Sequence, residues 1–544
     1  MKLRNQTRWW ITAGSALCLV ACGANPASSA DGADAPEAAE DRVGAPDVSV
    51  SDVFVSREPD SSAAWVDASV GEHDAAVVCA DTASGIVSEE MKRHLESLEA
   101  IGDSHDGERA AGTPGWHASV AYVTQQLVTF GYDVTMHPAE YPFFQTHAHP
   151  VLATTTPSPT LYQYSSGADT TADFQDVRFS PPGDVTAPLG VIDVSLGVGN
   201  DSTSGCTPAD YASFPVDRVA LVQAGGCPLL KKVRNAQAAG ARAVVIFNQG
   251  DSGERLGLIP EGVVLAGHRP DHGARIPVVF ASYGVGAELA ASVAAGDDVT
   301  MRVVVDTTYD VRVTHSLLAE TRSGDPEDVV MLGAHLDSGS AGPGINDNGS
   351  GVAALLEIAR NIAGCDVTRR VRFAWWGAGE VGQWGSTAYV FGLSDADRSR
   401  IRMYLNADVL ASRNHVNLIY DGDGSDYGVA GAAGSGEIEH FFQSDFLLAG
   451  LPSRATFVNR SDHVPFLIAN IPHGGLSSGA RGLKTEAEAA VFGGMAGQPY
   501  DACHDAACDT MANVELGVLQ TMVESLARAV QFFGVDGRSV VPAP

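Results

Sequence analysis

Positively charged residues are scarce in this sequence. Lys and Arg together number 34 against 66 Asp and Glu, which gives a formal net charge of −32 at pH 7. Nucleic acids and anionic membrane surfaces are bound by faces rich in Lys and Arg, so the composition argues against both as partners. Hydrophobic residues make up 45 % and charged residues 18 % of the 544 residues, which is a globular composition long enough for two or three domains.

The apolar run at the N-terminus is too short to cross a bilayer as a mature helix. It covers 9–20, follows three basic residues and ends in the tetrapeptide Leu-Val-Ala-Cys. This ending resembles a bacterial lipoprotein signal, which predicts a signal peptide over 1–21 and a lipid on Cys22. The alternative is an ordinary secretory signal cut at a small residue. We therefore expect an exported protein that is lipid-anchored to the bacterial cell envelope, at the outer membrane or the cell surface.

Aromatic residues are few in the segment that follows. Residues 22–78 are rich in Ala, Asp, Ser, Pro and Glu, a composition that cannot bury enough apolar surface to fold. The segment is predicted to be a disordered acidic linker, and ordered sequence is expected to begin near residue 79.

Cysteines are also few, at eight. One is lost with the predicted signal peptide and one is Cys22, and the even number that remains favours disulfides in an exported chain. Cys503 and Cys508 are close enough for a local loop, and Cys206 with Cys227 is the next natural pair. Cys79 with Cys365 is left by elimination.

The sequence from about 311 onward alternates between strands and helices. Apolar runs at 329–338, 371–380 and 403–412 predict buried parallel strands, and 351–364 predicts a helix between the first two. Short strands and an amphipathic helix within 186–300 predict a separate compact module. Functional side chains collect at the carboxyl ends of parallel strands. Four candidates fall at such ends: His335, Asp337, Glu380 and Asp408.

These residue types predict a zinc site. Zinc takes imidazole nitrogen and carboxylate oxygen, and a two-metal site needs a carboxylate that can bridge. Asp347 lies in the Gly-rich run PGINDNGSG, where glycines let the backbone turn tightly around an ion. Asp337, two residues from His335, is assigned to orienting the imidazole. The alternative, that each is merely a polar strand end, is weakened because several candidates fall together.

Five motifs occur in order along the chain: HLDS with GPGINDNGSG, RFAWWGAGEVGQWGS, YLNAD, RSDHVPF and GGMAGQPYDACHDAACDTMANV. Together they resemble the secreted co-catalytic zinc aminopeptidases, the aminopeptidase Y group of peptidase clan MH. Residues 200–285 resemble the protease-associated (PA) domain that interrupts such peptidases. The resemblance covers 79–535 and implies an α/β fold with a mixed, largely parallel sheet, flanked by helices and carrying an inserted β-rich PA domain. The predicted boundaries are 79–154 and 309–535 for the peptidase and 155–308 for the insertion.

The resemblance implies roles for individual residues. His335 and Asp408 hold one zinc, and Asp347 bridges two. The second zinc takes the second carboxylate of a Glu-Glu pair, here Glu380, and a His from a Cys-Tyr-His-x-x-Cys-Asp motif. The first Glu of the pair is the general base. Arg460 corresponds to a family residue near the N-terminus of the substrate, although an Arg close to an Asp is as often a structural ion pair.

The sequence departs from the family at two positions, that of the general base and that of the histidine ligand of the second zinc. Gly379 stands where the family has its general base, and Asp505 stands where it has the ligand His, preceded by His504 instead of Tyr. Glu380 is a ligand by position and could act as base instead, and Asp505 can ligate zinc through oxygen. A carboxylate in place of a neutral imidazole adds negative charge, which makes a bound water less acidic.

The sequence therefore predicts a zinc-dependent hydrolase of the aminopeptidase type, with Glu380 and Asp337 as its catalytic carboxylates. It would remove N-terminal residues from peptides, at a rate reduced by the two departures. The first alternative is a catalytically degenerate peptide- or metal-binding lipoprotein on the same fold. The second is a one-metal enzyme. Peptides are the expected partners, with no nucleic acid, membrane contact only through the lipid anchor, and a monomeric state.

Overall fold

The computed structural model describes residues 81–165, 169–260, 262–265 and 273–539. The predicted signal peptide, Cys22, the linker and Cys79 lie outside these residues. Within them, every helix is too short or too polar to span a bilayer. The strands are β1 Val134–Thr156, β2 Thr160–Leu161, β3 Phe174–Arg178, β4 Gly183–Ile192, β5 Val219–Gln223, β6 Ala243–Phe247, β7 Val263–Val264, β8 Val278–Ala281, β9 Thr300–Glu320, β10 Asp325–His335, β11 Arg369–Trp376, β12 Ile401–Ala407, β13 Leu418–Tyr420, β14 Arg454–Thr456 and β15 His473–Ser477. The α-helices are α1 Ser88–Asp103, α2 Pro114–Thr129, α3 Leu229–Ala238, α4 Tyr283–Ala294, α5 Ser350–Ile362, α6 Trp384–Gly392, α7 Asp395–Ser399, α8 Ser435–Leu448, α9 Val464–Ile468, α10 Glu486–Phe492 and α11 Leu516–Val530.

Four parallel strands form the centre of the peptidase sheet, in the order β15-β12-β10-β11. Their apolar runs are buried, because α1, α5 and α11 pack on one face of the sheet around a large common core. Parallel strands need crossover connections, and α5 supplies the one between β10 and β11. The carboxyl ends of β10, β11 and β12 therefore meet at one edge, where His335 ends β10.

The inserted module has a sheet and cores of its own. Its strands β4, β5, β6 and β8 are parallel, and α3 and α4 pack against them. The long strand β9 joins the two parts, since it pairs antiparallel with β1, β4 and β11. Both β1 and β9 run across the predicted domain boundaries at 154 and 308, so these boundaries fall within strands.

The mixed, largely parallel sheet with an inserted module confirms the predicted fold class. The helix predicted at 351–364 is α5, and the apolar runs predicted at 329–338, 371–380 and 403–412 overlap β10, β11 and β12, each of which begins two to four residues earlier. Disulfides join Cys206 to Cys227 and Cys503 to Cys508. Cys365 is also disulfide-bonded.

Candidate active site

Three predicted ligands meet at the carboxyl edge of the sheet. Nε2 of His335 lies 3.3 Å from Oδ1 of Asp347 and 3.4 Å from Oδ1 of Asp408. His335 ends β10, Asp408 follows β12, and Asp347 lies on the loop that leads into α5. All three are buried or nearly so, with side-chain exposures of 6 %, 7 % and 16 %. The parallel topology thus brings together residues that are up to 73 positions apart in the sequence (335 to 408).

Asp337 lies beneath this group and organises the end of β11. Its carboxylate accepts hydrogen bonds from the main-chain amides of Gly379 at 2.8 Å and Glu380 at 3.2 Å. Nδ1 of His335 lies 3.0 Å from the main-chain carbonyl oxygen of Asp337, against 3.8 Å from its carboxylate. Asp337 therefore orients the imidazole through its carbonyl and positions Glu380 through its carboxylate.

Buried polar residues outside the predicted set hold the Asp347 loop. Asp509 accepts hydrogen bonds from the main-chain amides of Asn346 and Asp347, both at 2.9 Å. The guanidinium of Arg109, with 0 % exposure, donates to the main-chain carbonyls of Leu336, Pro343 and Gly344. Asp509 follows Cys508 within the motif GGMAGQPYDACHDAACDTMANV, and Arg109 begins the run RAAGTPG at 109–115. The sequence pattern predicted a role for neither residue.

Glu380 contacts the ligand group from the end of β11. His335, Asp347 and Glu380 each offer one ligand atom, and these atoms all lie within 4.8 Å of one another. Oε1 of Glu380 is buried and has no hydrogen-bond partner among the described residues. Burial and the charges of Asp347 and Asp505 raise the pKa of Glu380 well above its usual range.

A second group shares Asp347 and includes both residues of the altered cysteine motif. One ligand atom each of Asp347, His504 and Asp505 lie within 4.8 Å of one another. Nδ1 of His504 is 2.8 Å from Oδ2 of Asp347, and Nε2 is 3.5 Å from Oδ2 of Asp505. Asp505 is also ion-paired with Arg481. The structure therefore adds His504 to the predicted ligand residues, and Arg481 partly offsets the extra negative charge that was expected from Asp505.

Gly379 has no room for a side chain. A Cβ atom built on it would lie 2.3 Å from Cβ and 2.6 Å from Cγ of His335. The predicted general-base position is therefore packed directly against the imidazole of a predicted ligand.

The site is strongly acidic, and its titrations are shifted accordingly. Burial lowers the pKa of His335, but the carboxylates of Asp408 and Asp347 outweigh burial and raise it well above its usual value. Burial alone would raise the pKa of Asp347, but the adjacent imidazoles of His335 and His504 bring it well below its usual range. The raised pKa of His335 and the lowered pKa of Asp347 share one cause, the attraction between a protonated imidazole and a carboxylate.

Among the described residues, the Arg460 side chain forms no hydrogen bond or ion pair with this network. It is exposed, and it forms no ion pair with Asp462 in the described part of the chain. Asp462 instead accepts a hydrogen bond from the hydroxyl of Ser386 at 2.6 Å, and burial raises its pKa to about 7. The structural ion pair considered for Arg460 is therefore not formed.

The donor set fits zinc. Among the described residues, Oε1 of Glu380, Oδ1 of Asp408 and Nδ1 of His504 are buried without a hydrogen-bond partner. Buried polar atoms are almost always satisfied, so three orphaned atoms around one carboxylate indicate ligands aimed at a shared cation. Imidazole nitrogens and carboxylate oxygens are the donors that catalytic zinc sites use.

Comparison with known proteins agrees with this geometry. Residues 316–530 match the family model of peptidase family M28, and 185–289 match that of the PA domain. An aminopeptidase of Pseudomonas aeruginosa is 43 % identical over 449 residues, which cover 82 % of this chain and 81 % of that protein. The chain belongs to peptidase family M28. The predicted family, with its inserted PA domain, is confirmed.

Other relatives extend the comparison. Leucine aminopeptidase 2 of Trichophyton tonsurans is 35 % identical over 456 residues, covering 83 % of this chain and 85 % of that protein. The aminopeptidase from Aneurinibacillus sp. strain AM-1 has a similar structure, with a TM-score of 0.61, 24 % identity and coverage of 85 % of this chain and 98 % of its own. A zinc aminopeptidase from Bacillus subtilis gives a TM-score of 0.57 at 22 % identity, covering 82 % and 95 %. These two structures support the fold.

Proposed function

We propose that this chain is a zinc-dependent aminopeptidase that removes N-terminal residues from peptides. The observation that carries the proposal is the convergence of His335, Asp347, Asp408 and Glu380 at the carboxyl edge of one sheet. Membership of family M28 and the aminopeptidase relatives support the same activity. His335, Asp347 and Asp408 would hold one zinc, and Asp347 would be shared with a second.

Glu380 is the base in this proposal. When bound, zinc supplies a Lewis acid that polarises the scissile carbonyl and makes water more acidic. The Glu380 carboxylate takes a proton from a water molecule whose oxygen bonds to the carbonyl carbon. The carbon–nitrogen bond then breaks, and the proton passes from Glu380 to the leaving amine. Asp337 holds Glu380 in place by accepting a hydrogen bond from the main-chain amide of Glu380. By its position in the family motif, Arg460 would contact the substrate near its N-terminal residue.

The alternative is a degenerate binding protein on the same fold, and Gly379 favours it. Loss of a general base commonly costs ~10²–10⁴ in rate. To discriminate, the purified zinc-loaded protein is assayed for release of a chromogenic amine from leucyl and other aminoacyl substrates, beside His335→Ala. Turnover that chelator abolishes and that far exceeds the His335→Ala background supports the enzyme. No chelator-sensitive turnover on any aminoacyl substrate supports the degenerate protein.

Two zinc ions per chain are proposed, because Asp347 is shared by two groups of candidate ligands. Metal analysis of the dialysed protein tests this number. Two equivalents support a co-catalytic site, whereas one tightly held equivalent supports the one-metal enzyme.

For localisation, we propose an exported protein anchored by a lipid on Cys22. The basis is the sequence pattern at residues 1–22. Metabolic labelling with a radioactive fatty acid in a bacterial host would label the parent and not Cys22→Ser. Equal label on both would contradict the anchor. Peptides are its proposed partners, and sedimentation analysis of the purified protein tests the proposed monomer.

A further inference from the structure

We propose that His504 supplies the imidazole ligand of the second zinc position, displaced by one residue from its place in the family motif, and that Asp505 orients it. This inference rests on the proposed function for the identity of the cation. Adjacent residues usually point in different directions, so the sequence pattern favoured Asp505 as the replacement ligand. The structure brings His504 to the bridging carboxylate instead.

His504 and Asp347 are in direct contact. Nδ1 of His504 lies 2.8 Å from Oδ2 of Asp347, yet the atom is buried and makes no hydrogen bond to any described residue. The two atoms are close without the alignment of a donor and an acceptor. Two ligands of one cation have this relationship, since both aim at a third point instead of at each other.

The chain holds His504 in place from both sides. The disulfide between Cys503 and Cys508, which are five positions apart in the sequence, closes a short loop that contains His504. Asp501 accepts a hydrogen bond from the amide of Cys503 at 2.8 Å, before the loop. Asp509, directly after the loop, binds the amide of Asp347 itself at 2.9 Å. The loop that carries His504 is therefore fastened to the loop that carries the bridging carboxylate.

The other ring nitrogen of His504 faces a carboxylate. Nε2 of His504 faces Oδ2 of Asp505 at 3.5 Å, and Arg481 pairs with the same oxygen. A histidine that ligates metal generally donates its second N–H to a carboxylate, which fixes the ring and raises its basicity. Asp505 has φ of 55°, a left-handed conformation that Asp tolerates better than most residues. That turn lets two adjacent side chains face the same region.

The net charge of the second position also favours His504 over Asp505 as the ligand. An Asp that replaced the family His as a direct ligand would leave the carboxylates of Asp347 and Asp505 at the second position, with no imidazole among its ligands. With His504 as the ligand, a neutral imidazole is retained. The Asp505 charge is then partly balanced by Arg481, although 62 % exposure of that side chain weakens the pairing through solvent screening.

The test is zinc binding by the full-length protein, measured without reference to turnover. Metal-free parent, His504→Ala, Asp505→Asn and the control His440→Ala are dialysed against zinc and analysed for bound metal. His440 is a suitable control because it also faces an aspartate, Asp423 at 3.8 Å, in a more exposed place. We expect two equivalents in the parent and the control, one in His504→Ala, and two in Asp505→Asn with the second bound about 10–100-fold more weakly.

Two results would overturn the inference: two equivalents in His504→Ala at parental affinity, or complete loss of the second zinc in Asp505→Asn with retention in His504→Ala. If His504→Ala fails to fold, His504→Gln replaces it and the same stoichiometries apply. Zinc X-ray absorption on the parent provides a second readout, with an average of one imidazole per zinc expected and about half that number overturning the inference.

The failure of the proposed function would look different. If the parent binds two zinc ions, His504→Ala binds one and the parent shows no turnover, the displaced ligand is supported and the proposed aminopeptidase activity is refuted. If the parent is active with a single bound zinc, the proposed activity is supported and the displaced ligand is refuted.

Discussion

Gly379 and His335 are packed so closely that a Cβ atom on the glycine would lie 2.3 Å from that of the histidine. The amide of Gly379 is meanwhile hydrogen-bonded to Asp337, which fixes the main chain at this point. The local main-chain path therefore requires a residue without a side chain at position 379. A general base at this position requires a different path for residues 378–380.

Restoring the family residue should fail for this reason. Gly379→Glu and Gly379→Ala should both weaken zinc binding and lower the free energy of unfolding by about 1–3 kcal/mol through overpacking, and Gly379→Glu should not increase kcat. Gly253→Ala, in the PA module, is the control, because its Cβ would meet no atom within 4 Å. Zinc titration, denaturant unfolding and peptidase assays check this. Faster turnover by Gly379→Glu at unchanged stability would show that the backbone adjusts at little cost.

Arg109 should be essential to the shape of the site without contacting the substrate. Its guanidinium donates to three main-chain carbonyls beneath the ligands. Arg109→Met leaves these carbonyls unsatisfied, so we expect a loss of about 3 kcal/mol or more in the free energy of unfolding. Denaturant unfolding measures it, with Arg242→Met as the control because Arg242 makes only a weak exposed ion pair at 3.9 Å. Equal, small losses in the two variants would contradict the role.

The sequence was sufficient to predict the part of the site that depends on sheet topology. His335 and Asp408 could be placed together because parallel strands end at a common edge and each strand was visible as an apolar run. Asp347 was predicted from its Gly-rich loop. Glu380 followed from the same reasoning. The role of each residue as a metal ligand came from the resemblance to the zinc aminopeptidases.

The parts that could not be predicted depend on contacts between distant loops. Arg109 and Asp509 bind main-chain groups, which leave no complementary residue type in the sequence. The direction of His504 depends on a left-handed residue inside a disulfide loop. The Arg481–Asp505 ion pair joins residues on separate loops. Strand periodicity contains no information about any of these.

The Cys503–Cys508 disulfide should matter for metal binding more than for overall stability. Its loop is short, so it contributes only about 2 kcal/mol by chain entropy. Replacing both cysteines by Ser frees the loop that carries His504, and we expect the affinity for one of two zinc ions to fall. Cys206→Ser with Cys227→Ser, in the PA module, is the control and should leave zinc binding unchanged. Metal analysis after dialysis compares the two double variants, and equal effects would refute the prediction.

His94 should make the protein sensitive to acid. It is 6 % exposed in α1, with Nδ1 at 2.7 Å from the hydroxyl oxygen of Tyr122. Burial is the main cause that lowers its pKa from 6.5 to about 4; Arg360 and Arg93 act in the same direction, and Glu357 opposes them.

The sign of the effect follows from the direction of this shift. In the unfolded chain His94 takes up a proton near its ordinary pKa, whereas in the folded protein it stays neutral until about pH 4. Its contribution to stability is therefore complete above pH 6.5 and is lost as the pH falls toward 4. At about 1.4 kcal/mol per pKa unit, the loss is about 3 kcal/mol.

His94→Asn removes the titrating group and keeps a polar partner for Tyr122. Denaturant unfolding of the metal-free protein at several pH values between 7.5 and 4.5 should show a smaller acid-induced loss in His94→Asn than in the parent. The exposed His117→Asn is the control and should follow the parent curve. Because other titrating groups are common to all three proteins, their contributions cancel in the differences. Parallel pH profiles for the parent and His94→Asn would mean that His94 accepts its proton in the folded state as readily as in the unfolded chain.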